Sequence, residues 1–218
     1  CPETERAGTP PERGMAGLRA KNRIDRNSRI VEAASDLFRK DGYEGARIEE
    51  IAARAEVSVG TIYNYYRNKG DILVAIVSQE VHEVLAAGQK IIEKPPKNVE
   101  KAIDALLASY IEHSLVYLSK EMWRQAMATS TQQPDSPFGK TYTALDRALA
   151  DQTCTLIAKL QALGLVRREI DGQGVGEMIF NSMNMMFIEF IKREDMPIKE
   201  LRNAIRRQNR TLVKAISA

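Results

Sequence analysis

Residues 58 to 69 hold a high density of side chains that can exchange hydrogen bonds with an anion: Ser58, Thr61, Tyr63, Asn64, Tyr65 and Lys69. A hydroxyl can donate to a phosphate oxygen, an amide can read the edge of a base, and an ammonium neutralises a backbone phosphate. Three of the chain's seven tyrosines fall within Tyr63 to Tyr66. On one helix they cannot all point inward, so at least one is exposed, although any single ring could equally be core. Gly60, in the same helix, costs about 1 kcal/mol relative to Ala. It is either incidental or the missing side chain that lets backbone approach a nucleic acid. Lys69 follows the candidate N-cap Asn68 and so stands in the first turn of the next helix. A cation is electrostatically misplaced at that positive end. A phosphate partner would explain it; a solvated lysine is the alternative.

These residues need elements to position them. Ile30, Ala34, Leu37 and Phe38 share one helical face, and Asp41-Gly42 provides a stop at which Gly can take positive φ. A short helix from Ile48 to about Ala55 buries Ile48, Ile51 and Ala52. The turn Glu56-Val57-Ser58 follows, with Val57 as its apolar plug and Ser58 as N-cap of a helix from Val59 to about Tyr66. Ile62 and Tyr66 face the core, which leaves Gly60, Thr61, Tyr63, Asn64 and Tyr65 outward. The arrangement is a helix-turn-helix presenting its second helix to a major groove. Upstream, Arg19, Lys21, Arg23, Arg26 and Arg29 stand against the single acid Asp25. Such a block is either a solvated arm or one that reaches phosphates or a minor groove.

Arg29 to Val77 resembles the DNA-binding domain of the tetracycline-repressor (TetR) family. The resemblance is carried by Ile30-Val31-Glu32-Ala33-Ala34 with Leu37-Phe38, by Gly42-Tyr43 and by Glu50-Ile51-Ala52. It continues in the run Val57-Ser58-Val59-Gly60-Thr61-Ile62-Tyr63-Asn64-Tyr65-Tyr66, then Lys69 and Asp71-Ile72-Leu73. It implies an all-α homodimer bound to a roughly palindromic double-stranded operator, with repression the expected sense, and a pocket for an unidentified small-molecule effector. It also places Ser58, Gly60, Thr61, Tyr63, Asn64, Tyr65 and Lys69 at the DNA, with Tyr63 and Lys69 on phosphates. Two positions depart from the family pattern. Ala46-Arg47 stands where Ser or Thr often caps the second helix, so Arg47 would have to bind phosphate instead. Glu56 replaces a frequent Gly; if φ is positive there, the strain is roughly 1–2 kcal/mol.

The remaining chain sets the context. Its 218 residues are 44% apolar and 28% charged, an ordinary globular composition. A net charge of +3 is too small for a nonspecific architectural DNA binder. Two histidines and no clustered nucleophile, acid or base argue against an enzyme; no catalytic residue, metal or cofactor is expected. Cys1 and Cys154 offer no disulfide framework, and no apolar run nears the roughly 18 residues of a membrane span. A cytoplasmic protein is expected. Residues 1 to 14 read as disordered or as an extension upstream of Met15, with a lipid-bearing Cys1 the remote alternative. The expected division is an extension over 1–22, a helix-turn-helix domain over 23–77 and a helical effector and dimerisation domain over 78–218.

Within residues 78–218 an apolar stripe runs from Ile103 to Leu118, and Leu145, Leu149, Leu156 and Leu160 form another. Tyr110, His113, Tyr117, Trp123, Met127, Phe138, Tyr142 and Met183 either line a cavity or are plain core. The helix from Met178 to Ile191 is apolar nearly all round, which suits a central core helix or one shared between the core and a second subunit. Met186, Phe187 and Phe190 are its candidate interface residues. Leu201, Ile205, Gln208 and Leu212 form a seam with one polar interruption, again a candidate interface. Arg202, Arg206 and Arg210 are expected on a solvated face.

Overall fold

The computed structural model describes residues 12–218; expectations for Cys1 and the rest of 1–11 lie outside them. Among the described residues the fold is all-α: α1 (Glu12–Gly45), α2 (Ile48–Arg54), α3 (Val59–Tyr63), α4 (Lys69–Glu93), α5 (Val99–His113), α6 (Lys120–Gln132), α7 (Pro137–Ala162), α8 (Gly172–Lys192) and α9 (Ile198–Ile216). Proline sets the breaks, since it lacks an N–H and its ring clashes with the preceding turn. Pro95 and Pro96 follow α4, Pro137 opens α7, and Pro197 is the N-cap of α9. The stretch 165–170 contributes one antiparallel bridge, Val166 with Ser217. No helix among the described residues is long and apolar enough to cross a membrane.

Two boundaries differ from the sequence expectation. Residues 12–22, expected as part of an arm, already belong to α1, which runs on without a break into the Ile30–Phe38 face. The stripe from Ile103 to Leu118 is divided between α5 and a loop. The buried Ser114 hydroxyl donates to the Ile111 carbonyl at 2.7 Å, and Trp123 Nε1 donates to the Ser114 carbonyl at 2.6 Å. That carbonyl is thereby diverted from the helical ladder, and Ser119 starts α6 by accepting from Met122 N–H.

Helices α1 to α3 form the first packed unit. The helical course of α1 is interrupted at Gly42, whose φ of 77° needs no Cβ. Arg29 Nη1 donates to the Ala55 carbonyl at 3.0 Å, pinning α1 to the turn between α2 and α3. Helix α4 then runs through both halves of the molecule. Ile72, Leu73, Ile76 and Val77 are buried near its start, and Val81, Val84 and Ile92 further along. A second seam joins α1 to the α5–α6 region: Ser35 Oγ donates to the Tyr117 carbonyl at 2.6 Å, and Tyr43 N–H donates to Glu121 at 3.2 Å. In the larger half α7 and α8 approach so closely that a Cβ on Gly176 would lie 2.5 Å from Cys154 Cα. That approach buries Cys154, whose thiol is pushed up by burial.

The arginines of α9 are not simply solvated. Arg206 grips Asp104 through two nitrogens at 2.6 and 2.5 Å, Arg210 reaches Glu100 at 3.3 Å, and Arg202 pairs with Glu112. Glu100, Asp104 and Glu112 repeat along one face of α5, so the two helices are zipped by charge. Exposed pairs are worth at most about 1 kcal/mol each, so register matters more here than stability.

Glu56 has φ 54°, the left-handed region, and its carboxylate lies 3.6 Å from Arg29. Replacing Glu56 by Gly relieves the strain and should raise the unfolding free energy in urea by about 1 kcal/mol. Glu56→Ala keeps the strain, loses the exposed ion pair and should gain nothing. Equal stabilities for the two variants would contradict the assignment of strain.

Candidate nucleic-acid interface and effector cavity

The surface of α3 is built by its caps. Ser58 Oγ accepts from Thr61 N–H at 3.1 Å and shares a 2.8 Å hydrogen bond with the Thr61 hydroxyl. Ile62 is fully buried and anchors the helix. Gly60, Tyr63 and Asn64 are left exposed, with Tyr63 at 55% an open ring on a polar surface. The helix is shorter than expected: Asn64 is already its C-cap, and the chain turns through Tyr65 and Tyr66. Tyr66 is core, its hydroxyl donating to Asn27 at 2.6 Å. Tyr65 is only half-exposed. Its hydroxyl donates to the Arg23 carbonyl at 3.2 Å, and the Arg23 guanidinium lies 5.9 Å from its ring centroid. Exposed Lys21, Arg23 and Arg26 on α1 therefore extend from beside the end of α3. Arg47 is exposed as N-cap of α2.

Lys69 is placed differently from the sequence expectation. Its ammonium donates to the carbonyls of Tyr43 at 2.8 Å, Glu44 at 3.0 Å and Ala46 at 3.3 Å. Those carbonyls are left over where α1 ends, and a cation suits the negative end of a helix. The charge misplaced at the start of α4 is thus satisfied by the end of α1, and all three of its N–H groups are already used within the protein.

A cavity of about 60 Å³ lies between α4, α5, α6, α7 and α8. Of the expected pocket residues, Tyr110, Trp123, Met127, Tyr142 and Met183 line it. Phe138 does not; its ring lies by Gly70, at the start of α4. His113 and Tyr117 stand behind the wall. His113 places Nδ1 2.8 Å from Glu80 and Nε2 3.3 Å from Glu83, which also accepts from the Tyr117 hydroxyl at 3.0 Å. The wall also contains Glu80, Asp146 and Asn184, none of them singled out from sequence. Glu80 had a signal: it is an acid in line with Ile76, Val77, Val81 and Val84 on the apolar face of α4. Asp146 had a similar one, beside Leu145 and Leu149 on the apolar face of α7.

The expected subunit-interface residues divide. Phe187, Phe190, Leu201 and Ile205 are buried in this chain's own core and cannot also face a second subunit. Their three-four spacing reflects intramolecular packing, with Trp123 and Phe187 edge to face at 5.4 Å. Met186 and Leu212 are half-buried, and Gln208 is exposed with its amide 2.6 Å from Ser182 Oγ. The open apolar side chains of α8 are instead Met178 and Met185, at 60% and 57% exposure.

Residues 30–76 match the model of bacterial regulatory proteins, tetR family. This segment belongs to the tetR family. Among curated proteins, the segment and its surroundings are 33% identical over 76 residues to the HTH-type transcriptional repressor KstR of Rhodococcus jostii, covering 35% of this chain and 36% of that protein. They are 34% identical over 86 residues to the HTH-type transcriptional repressor SCO4008 of Streptomyces coelicolor, covering 39% and 43%. The match thus spans less than half the length of these relatives. The TetR likeness of the fold extends much further. A TetR-family transcriptional regulator from Pectobacterium atrosepticum superposes with a TM-score of 0.68 at 17% identity, over 91% of this chain and 97% of that one. The Thermus thermophilus repressor FadR, solved with lauroyl-CoA, superposes with a TM-score of 0.60 at 22% identity, over 86% and 92%.

Beyond the TetR segment, electrostatics mark the cavity. Burial pushes the Glu80 carboxyl up from 4.5 to about 7 against the pull of His113, and burial pushes Asp146 up to about 6. The folded protein therefore holds protons that the unfolded chain releases, so stability falls as pH rises through this interval. Glu80→Gln cannot ionise and should remove on the order of 2 kcal/mol of the stability lost between pH 5 and pH 8. Urea unfolding of both proteins across that range measures it; parallel pH profiles would show that Glu80 ionises in the fold just as it does in the unfolded chain, with no upward shift.

Proposed function

We propose that the protein is a cytoplasmic, sequence-specific transcriptional regulator. It binds a roughly palindromic operator as a homodimer, in the sense of repression, and answers to a small molecule held in the cavity. Residues 23–77 read the DNA, while residues 78–218 carry the effector and the second subunit. The tetR-family segment supports the DNA-binding role, and the exposed Gly60, Tyr63 and Asn64 form the surface that would enter a groove. Tyr63, Arg47 and the exposed cations of α1 take the phosphates. Lys69 contributes its charge from a fixed seat beneath them.

The observation that carries the proposal is the course of α4. It begins at Asn68, directly after the α3 turn, and reaches Glu80, Val81 and Val84 in the cavity wall without a break. At 1.5 Å per residue, the Lys69 end and Glu80 are about 17 Å apart along one rigid rod. An effector that prefers a different seat for α4 changes the spacing of the two recognition helices. Such coupling is worth about 1–3 kcal/mol and is reciprocal. The lauroyl-CoA held by the Thermus repressor does not carry over to this chain. Glu80 and Asp146 stand in its cavity wall, and no Lys or Arg does so among the described lining residues to meet phosphates.

Selection of bound fragments from genomic DNA should return a symmetric site whose half-sites lie about one helical turn or more apart. Affinity for that site should fall steeply with salt. Recovery of no enriched symmetric site would refute the operator.

The exposed Met178 and Met185 support a second copy seated on the outward face of α8 and α9, around Met178, Met185, Met186, Gln208 and Leu212. Light scattering should give twice the 24.4 kDa chain mass. Met185→Glu should give a folded monomer, because the side chain is open and its loss leaves the core intact. A wild-type monomer at micromolar concentration would exclude this arrangement and the palindrome with it.

A further inference from the structure

Glu80 is the least explained side chain of the protein. It is 3% exposed, Oε1 lies 2.8 Å from His113 Nδ1, and the Tyr117 backbone N–H acts on the same carboxyl, yet Oε2 is buried with no hydrogen bond of good geometry. Buried acceptors are almost always met, and one that the chain leaves open at a cavity wall marks a place for an outside donor. A water can supply a hydrogen bond but cannot balance a charge. A second carboxyl stands on the way in. Asp146 lines both the inner cavity and a neighbouring cleft of about 290 Å³ bordered by Ser130, Thr131 and Thr143. The His113 ring sits between two acids, Glu80 and Glu83, so both of its nitrogens are engaged. The rest of the wall is apolar or aromatic, including Trp123, Tyr142 and Phe180.

We infer that this cavity takes an apolar molecule bearing one protonated amine, with Glu80 as its counter-ion and Asp146 at the entrance. The inference rests on the cavity being the effector site. An anionic head would face two carboxyls, with no Lys or Arg among the described lining residues to offset them. A neutral hydroxyl could donate to Oε2 but, like a water, would not balance the charge of an ionised Glu80. An ammonium satisfies Oε2, draws Glu80 into its charged form, and gains further from the aromatic faces around it. The inner cavity suits a short amine, and a longer apolar tail can follow the cleft past Asp146.

The test uses the full chain without DNA. Trp123, the only tryptophan, reports from the cavity wall, its indole held on the Ser114 carbonyl at 2.6 Å. Its fluorescence is followed while hexylammonium, 1-hexanol and hexanoate are titrated separately. Hexylammonium should bind at least about tenfold more tightly than 1-hexanol, and hexanoate most weakly. Glu80→Gln, nearly the same shape without the charge, should lower hexylammonium affinity about tenfold and leave 1-hexanol within about twofold. Asp146→Asn should act in the same direction, less strongly. Hexanoate binding as well as hexylammonium, no binding of any probe, or amine affinity unchanged in both variants would overturn the ligand class. A symmetric operator recovered alongside a failed amine titration would leave the regulator standing and remove only the amine. Glu80-dependent amine binding with no operator would do the reverse.

Discussion

The rest of the molecule hangs on a constraint carried by α4, which must bury two unlike surfaces with one helix. Its first turns supply Ile72, Leu73 and Ile76 to the small three-helix unit, and its later turns supply Val81 and Val84 to the larger half. A helix packed on both sides cannot slide for one half without disturbing the other, because close-packed interiors do not deform continuously. Glu80 falls where these two demands meet. The same rod that must stay apolar for packing carries a buried carboxyl into the cavity wall.

Cations hold the ends of this assembly together in a consistent way. Lys69 donates to the carbonyls that close α1. Arg29 donates to Ala55, the C-cap of α2. Lys120 donates to the carbonyls of Arg193 at 2.6 Å and Met196 at 2.8 Å beyond α8, with its ammonium 4.0 Å from the Phe190 ring centroid. Each helix end leaves carbonyls without partners and carries partial negative charge, so a long cationic side chain meets both needs. Basic residues spent in this way have their N–H groups engaged by the protein, so they can offer a polyanion their charge and few hydrogen bonds. Lys21, Arg23 and Arg26 on α1 and Arg47 at the start of α2 remain exposed near α3.

The two arms linking the halves differ in kind. Along α4 the link is covalent and continuous. Between α1 and the α5–α6 region it is a set of hydrogen bonds, Ser35 to the Tyr117 carbonyl and Tyr43 N–H to Glu121 among them. Helix α6 also brings Trp123 and Met127 to the cavity, so the cavity wall touches both arms. A change of occupancy there has two mechanical outlets toward α3, one stiff and one breakable.

The amino-acid sequence alone determined the elements and the outline of the first unit. Prolines and caps are local devices: Pro137, Pro197, Ser58 and Asn68 act through their own backbone and the next turn, so their effect can be read without knowing the fold. The helical period likewise exposed Ile30, Phe38 and Ile62 as core. Tertiary structure decided which neighbour each face meets. The spacing of Phe187, Phe190, Leu201 and Ile205 is the same for an intramolecular seam as for a subunit interface, and only packing assigned it to the former. Lys69 could face a phosphate or the end of α1 by local criteria, and the chain's return beside Gly42 settled which carbonyls it reaches. Arg206 found Asp104 across 102 positions of sequence. The helical period puts Asp146 on the apolar face of α7 beside Leu145 and Leu149, but that this face meets α4, α6 and α8 around a cavity depends on helices distant in sequence, and a convergence of that kind leaves no trace along the chain.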